Sequence, residues 1–358
     1  MSMSVYDVNG NLINNVFDVD GNLIDNMFDI DGNYISADWN PVALHGKLRK
    51  SGNYLVDKNG VNYQLRGIGT HALTQYSNLH TLDAFQCLKD NGINCIRISV
   101  YLSDFSFKYS DSQRYYGYIS HPNETKAEIE KIVNLCVQLG MYCILDWHTM
   151  SSEVTDGVIA YQTEAVDFFE YYAEKYANVP NVLYELQNEP YNASEGAEGS
   201  LATYVKAEHD AILEYVDDPV MIVGSRGGAI NRTVACIESV GIYDVFYSDH
   251  IYADDLSVYT FSTYGNIPYI MTEWSNASEA GTATGDNTNV NGFMDRMYNK
   301  KISNCAWKFT DQTHVFSVLK NRGVINDSYY SDGFTDSDLT AWGTLFFANN
   351  KRYKTLAP

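Results

Sequence analysis

Positive charge is scarce in this chain: 24 lysines and arginines face 45 aspartates and glutamates, a net of −21 over 358 residues. A field of that sign repels phosphate backbones, so nucleic acid is not the expected partner, whereas a neutral polymer meets no opposition. Proline is sparse too, at 7, and no Ser/Pro-rich linker divides the chain. Long apolar runs are missing; none reaches the roughly eighteen residues of a transmembrane helix, so no membrane contact is expected. The opening residues, MSMSVYDVNG, show no basic segment followed by an apolar one, and no signal peptide is visible. None of the six cysteines (Cys87, Cys95, Cys136, Cys143, Cys236, Cys305) sits in a CxxC pair, and most lie in apolar runs such as INCIRI. Buried free thiols fit that placement better than disulfides or a zinc site.

Tyrosine, by contrast, is abundant, with 29 copies. Aromatic faces stack on the apolar surfaces of neutral rings, although amphipathic packing accounts for most of them. A hydrophobic content of 45% allows a sizeable core in one large domain or two ordinary ones.

The first 37 residues repeat with period 11: VYDVNGNLINN, VFDVDGNLIDN, MFDIDGNYISA. Each copy sets Asn9-Gly10, Asp20-Gly21 or Asp31-Gly32 between β-favouring residues, the signature of a hairpin turn with positive φ. Asp18, Asp20, Asn22 and Asp29 also match positions 1, 3, 5 and 12 of a calcium loop, but the glycine stands at position 4 instead of 6. Residues 1–40 are therefore expected to be three tandem hairpins, an appendage offering a surface for packing or self-association, and residues 41–358 the main domain.

A short hairpin is expected in GKLRKSGNYLVDKNG, ahead of a first strand. From there strand-like and helix-like segments alternate. Apolar runs fall at 63–71, 93–101, 141–148, 181–189, 220–227, 244–252, 269–274 and 304–309. Patterns such as ETKAEIEKIVNLCVQLG between them carry apolar residues at three- and four-residue intervals. Eight strands alternating with helices predict an α/β fold, a (β/α)8 TIM barrel. A doubly wound sheet is the runner-up, disfavoured because no phosphate-binding glycine fingerprint follows the first strand.

Such a barrel keeps its active site at the C-terminal strand ends. Those ends read His71, Arg97, His148, Asn188-Glu189, Arg226, His250 with Tyr252, Glu273 and Trp307. Any one of them alone could be a cap or a salt-bridge partner; eight strands agreeing is harder to dismiss. In NVLYELQNEP the strand ends on an amide and a carboxylate, and Pro190 forbids it to continue. Glu189 and Glu273 are the acidic pair, and two carboxylates across a barrel mouth are the means of hydrolysing a glycosidic bond. Arg97 and the Tyr252 hydroxyl favour the ionised form of whichever carboxylate they touch. Asn188 suits a sugar hydroxyl, and Trp307 presents a flat face to a ring.

The ordered set IRIS, LDWH, NEP, His250-x-Tyr252, TEW and Trp307 resembles glycoside hydrolase family 5, the cellulase family, over about residues 46 to 345. The segment from Gly46 to Leu73 resembles the first part of the barrel in bacterial endo-β-1,4-glucanases. The resemblance implies a retaining endo-β-1,4-glucanase, secreted, with no cofactor and no metal. It makes Glu189 the acid/base and Glu273 the nucleophile. Arg97 and Tyr252 would support Glu273, while His71, His148, Asn188, His250 and Trp307 would bind sugar. Two departures stand out: Thr74-Gln75-Tyr76 where a tryptophan is usual, leaving Tyr76 to stack, and Asp311-Gln312 where a lysine is usual. With no cellulose-binding module visible, soluble or amorphous glucan is the expected substrate.

Three rivals remain open. One is the same chemistry on mannan, xylan or mixed-linkage glucan. Another is a barrel that binds sugar without cleaving it. The third is a metallohydrolase using His71, His148 and His250, against which stands the lack of an HxH after the first strand. Of the other tryptophans, Trp147 is expected to face the helices and Trp342 to sit in the core of a final helix. Trp274 fits either the cleft or the outside of the barrel.

Overall fold

The computed structural model describes residues 27–28, 34–35, 39–106, 114–191, 193, 201–224, 229, 241–252, 256, 267–277, 288–312, 314–321 and 329–356. Its centre is a closed barrel of eight parallel strands. They are β1 Arg66–Gly69, β2 Cys95–Tyr101, β3 Tyr142–His148 and β4 Val182–Gln187, then β5 Met221–Val223, β6 Phe246–Ile251, β7 Tyr269–Trp274 and β8 Asn304–Ala306. Sequence neighbours pair in space, and β8 shuts the ring on β1 with Asn304 opposite Arg66 and Ala306 opposite Ile68. Closure rules out the open doubly wound sheet.

Helices α1 Leu82–Asp90, α2 Pro122–Leu139, α3 Gln162–Tyr176 and α4 Leu201–Leu213 follow the first four strands. Helices α5 Thr288–Lys300 and α6 Ala341–Leu356 follow β7 and β8. Their boundaries are written locally: the Thr81 side chain accepts from Ala84 N at the start of α1, and Gly140 ends α2 at φ 66°. No helix of the described residues is long and apolar enough to cross a membrane.

Both faces of the barrel strands are buried, which is why they read as continuous apolar runs. Outward residues such as Ile98, Leu145 and Trp147 join the large core beneath the helices. Inward ones form an apolar floor of Leu65, Cys95, Ile144, Leu183, Ile222, Phe246, Ile270 and Cys305, about one per strand. The hairpin pairing Arg49–Ser51 with Tyr54–Val56 brings Leu48 and Leu55 onto that floor and plugs the N-terminal end.

Trp147 does face the helices, its Nε1 donating to Tyr204 Oη on α4 at 3.0 Å. Trp274 packs outside the barrel, against Phe293 of α5 and Trp342 of α6. Cys95, Cys136, Cys143 and Cys305 are buried free thiols and Cys87 a half-buried one; Cys236 lies outside the described residues. Of the N-terminal repeats, one antiparallel pairing is described, Met27 with Ile35 and Phe28 with Tyr34. It brackets Asp31-Gly32. The candidate calcium positions Asp18, Asp20, Asn22 and Asp29 lie outside the described residues.

Gly67 marks where the floor is tightest. A Cβ there would stand 2.5 Å from Cys305 Sγ and 3.1 Å from the Cys95 carbonyl oxygen. Gly67→Ala should cost about 1–3 kcal/mol of stability by overpacking. Adding Cys305→Ala should return part of that loss, measured by denaturant unfolding. Strict additivity of the two changes would show that the thiol is not the obstacle.

Candidate active site

Above the apolar floor the barrel interior turns from oil to charge. Arg97 projects inward from β2 and is fully buried. Its Nε donates to Glu185 at 2.6 Å and Nη1 to Glu273 at 3.0 Å. Nη2 reaches Glu185 at 3.0 Å, Asn188 Oδ1 at 2.6 Å and Asp146 at 3.0 Å. One guanidinium thus faces three carboxylates drawn from β3, β4 and β7. Burying so much negative charge is expensive, and the protons respond. Burial pushes Asp146 up to about 7 against the pull of Arg97, and it raises Glu185 as well.

The strands do not alternate strictly through this layer. In β4 the register shifts between Glu185 and Gln187. Glu185 bonds Arg97 inside the barrel, Gln187 instead donates to Glu208 on α4 at 3.2 Å, and Asn188 returns inward to Arg97. A register irregularity also falls between Met271 and Trp274 in β7. There Thr272 and Glu273 both make inward contacts, since Thr272 Oγ1 meets His250 Nε2 at 3.1 Å. Bulges of this kind re-aim side chains, and here they deliver Asn188 and Glu273.

At the mouth, Glu273 takes Arg97 on one oxygen and the Tyr252 hydroxyl on the other. Burial and the facing carboxylates, Glu273 first, hold the Tyr252 hydroxyl protonated well above its ordinary range. Across from it, Glu189 Oε1 lies 2.8 Å from His250 Nδ1. Ligand atoms of Glu189, His250 and Glu273 all fall within 4.8 Å of one another. His148 Nδ1 is 2.6 Å from Asp146, and its ring lies parallel to Trp307 at 5.6 Å and 6°. His71 touches Tyr76, Tyr101 and Trp307 edge-on. Gly69 leaves room for the indole, for a Cβ there would sit 2.9 Å from Trp307 Cε3.

All ten candidates from the sequence therefore stand at one end of the barrel: His71, Tyr76, Arg97, His148, Asn188, Glu189, His250, Tyr252, Glu273 and Trp307. Arg226 lies outside the described residues. His71 and His148 are absent from the one group of described residues spaced to hold a metal ion, which is the carboxylate pair with His250. The metallohydrolase set of three histidines is thus not assembled.

Sequence reasoning missed Asp146, Glu185, Thr272 and Lys308. Asp146 shares strand parity with His148 and Glu185 pairs opposite Asp146 on the next strand; asking what neutralises a buried arginine finds both. Lys308 follows Trp307 directly and is buried, whereas the family resemblance expects a lysine at Asp311-Gln312.

A parallel barrel with two glutamates and aromatic side chains at its C-terminal mouth is an arrangement suited to hydrolysing glycosidic bonds. The family model for Cellulase (glycosyl hydrolase family 5) matches residues 56–313, and the chain belongs to that family. An endoglucanase of Clostridium saccharobutylicum is 30% identical over 307 residues, 83% of this chain and 63% of the relative. Endoglucanase N of Pectobacterium atrosepticum is 26% identical over 309 residues, 85% and 65% respectively. This chain thus spans less than two thirds of either relative. The catalytic domain of Thermobifida fusca endoglucanase Cel5A superposes with TM-score 0.73 at 25% identity, covering 87% of this chain and 100% of that one. That domain has also been solved with cellotetraose.

The buried histidines yield a pH test. Burial holds His148 neutral, down to about 3. A folded value below the unfolded one gives stability that is present above about pH 6.5 and lost as pH falls toward 3. Relative to His148→Gln, the wild type should lose up to about 1.4 kcal/mol per pH unit between pH 6 and 4. Denaturant titrations at both pH values measure it, and a constant difference would mean that His148 is already protonated in the folded protein.

Proposed function

We propose that this glycoside hydrolase is a retaining endo-β-1,4-glucanase in which Glu273 is the nucleophile and Glu189 the acid/base. The observation that carries the proposal is the close approach of the two carboxylates, with ligand oxygens within 4.8 Å. Retaining enzymes hold their carboxyl groups roughly 5–5.5 Å apart, while inverting ones leave roughly 6.5–9.5 Å for a water.

Environment supports the division of labour. Glu273 is fixed by a guanidinium on one oxygen and a phenol on the other, both donors, which hold its carboxylate in place to attack the anomeric carbon. Glu189 meets an imidazole that burial holds neutral, down to about 4. If His250 carries its proton on Nε2, donating to Thr272, its Nδ1 accepts the proton of a neutral Glu189. Glu189 then protonates the glycosidic oxygen as Glu273 forms the glycosyl bond. In the second step Glu189 takes a proton from water, which displaces Glu273.

Trp307, its indole parallel to the His148 imidazole, offers a flat face to the ring at the cleavage point. Asn188, held by Arg97, presents its amide to the same sugar. The names of the relatives and the cellotetraose complex favour β-1,4-glucan. A polymer cannot enter a cell intact, so we place the enzyme outside the cell that makes it. We take residues 41–358 as the catalytic unit and residues 1–40 as an appendage.

Glu273→Gln should lower turnover by on the order of a thousandfold or more on every substrate. Glu189→Gln should be rescued in part by aryl glycosides with good leaving groups, which need little proton donation. Soluble β-1,4-glucan, glucomannan and xylan, each given to wild type and Glu273→Gln, test substrate and nucleophile together. A viscosity fall on the glucan, lost in the variant, is expected. Full activity of the variant would end the mechanism, and preference for xylan or glucomannan would move the substrate.

A further inference from the structure

Lys308 is out of place for a structural residue. It is 4% exposed, yet among the described residues no hydrogen bond or ion pair reaches its ammonium. Among the described residues one carboxylate, Glu273, acts on its charge, and that group is already held by Arg97 and Tyr252. Four groups at the mouth feel its charge: Glu273 on β7, His71 after β1, His148 on β3 and His314 in the loop after β8. Its Nζ stands 5.5 Å from the centroid of the Trp307 ring. A sugar laid against Trp307 with its anomeric carbon at Glu273 therefore has a cation beside it that lacks an anion among the described residues.

We propose that Lys308 is a specificity-determining residue that admits a carboxylate-bearing sugar unit, such as a uronic acid or a carboxymethylated glucose, at the Glu273 end of the cleft. The proposal rests on the hydrolase assignment above. A lysine serving only the fold would have found a carboxylate or carbonyl, because an unpaired buried ammonium is costly. A site meant for neutral hydroxyls alone is served by an amide without that cost. With a net charge of −21 the protein otherwise repels anionic polymers, so an acidic unit needs a local counter-charge to be held.

The experiment compares kcat/KM on carboxymethylcellulose, which is anionic, and hydroxyethylcellulose, which is neutral, for wild type, Lys308→Met and Lys308→Gln. In both variants the anionic-to-neutral ratio should fall about tenfold, the size of one charge-assisted hydrogen bond. Raising the pH through about 7, where burial has brought the lysine, should move the wild-type ratio toward that of the variants. Equal losses on both polymers, or a ratio preserved by Lys308→Gln, would overturn the proposal. Should the wild type cleave neither polymer, the hydrolase assignment fails. Retardation of the same proteins in gels containing each polymer then decides the matter: selective loss of retardation by the anionic polymer supports Lys308, and unchanged retardation refutes it.

Discussion

One buried guanidinium organises this active site. Arg97 gathers side chains from β3, β4 and β7 into a layer directly beneath the mouth. Removing a partner from such a layer strands charge in a low-dielectric interior, at a cost of several kcal/mol. The layer therefore constrains everything above it. Asn188 is turned toward the cleft by its bond to Arg97, Glu273 is held on one oxygen, and His148 is steered through Asp146.

Backbone irregularity is the second constraint. An ideal strand would send Gln187 inward and Asn188 outward. The shift after Glu185 reverses this, and Gln187 is taken up outside the barrel by Glu208 and by the Thr149 hydroxyl at 2.7 Å. The Thr149 carbonyl in turn accepts from Asn188 and from Glu189 N. A small network on the helical side of β4 thus fixes the aim of the segment that carries Asn188 and Glu189.

Much of this was legible in the sequence, for physical reasons. Buried parallel strands are apolar on both faces, so all eight stood out as runs, and polar residues interrupting those runs at one end marked the mouth. Asp146 and Glu185 stayed hidden because a carboxylate inside an apolar run has no meaning until its counter-ion is placed across the barrel. The register shifts are set by pairing between strands far apart in sequence, and no local pattern reports them. Lys308 escaped notice because it adjoins Trp307, where alternation would turn it away from the cleft.

The central claim is that Glu273, held by Arg97 and Tyr252, forms a covalent bond to sugar. The most direct measurement is mass spectrometry of the protein after incubation with a 2-deoxy-2-fluoro-β-cellobioside bearing a good leaving group, followed by peptide mapping. One stoichiometric fluorocellobiosyl adduct is expected, on the Glu273 carboxylate. An adduct on Glu189, or turnover of the reagent with no adduct and an inverted product, would contradict it.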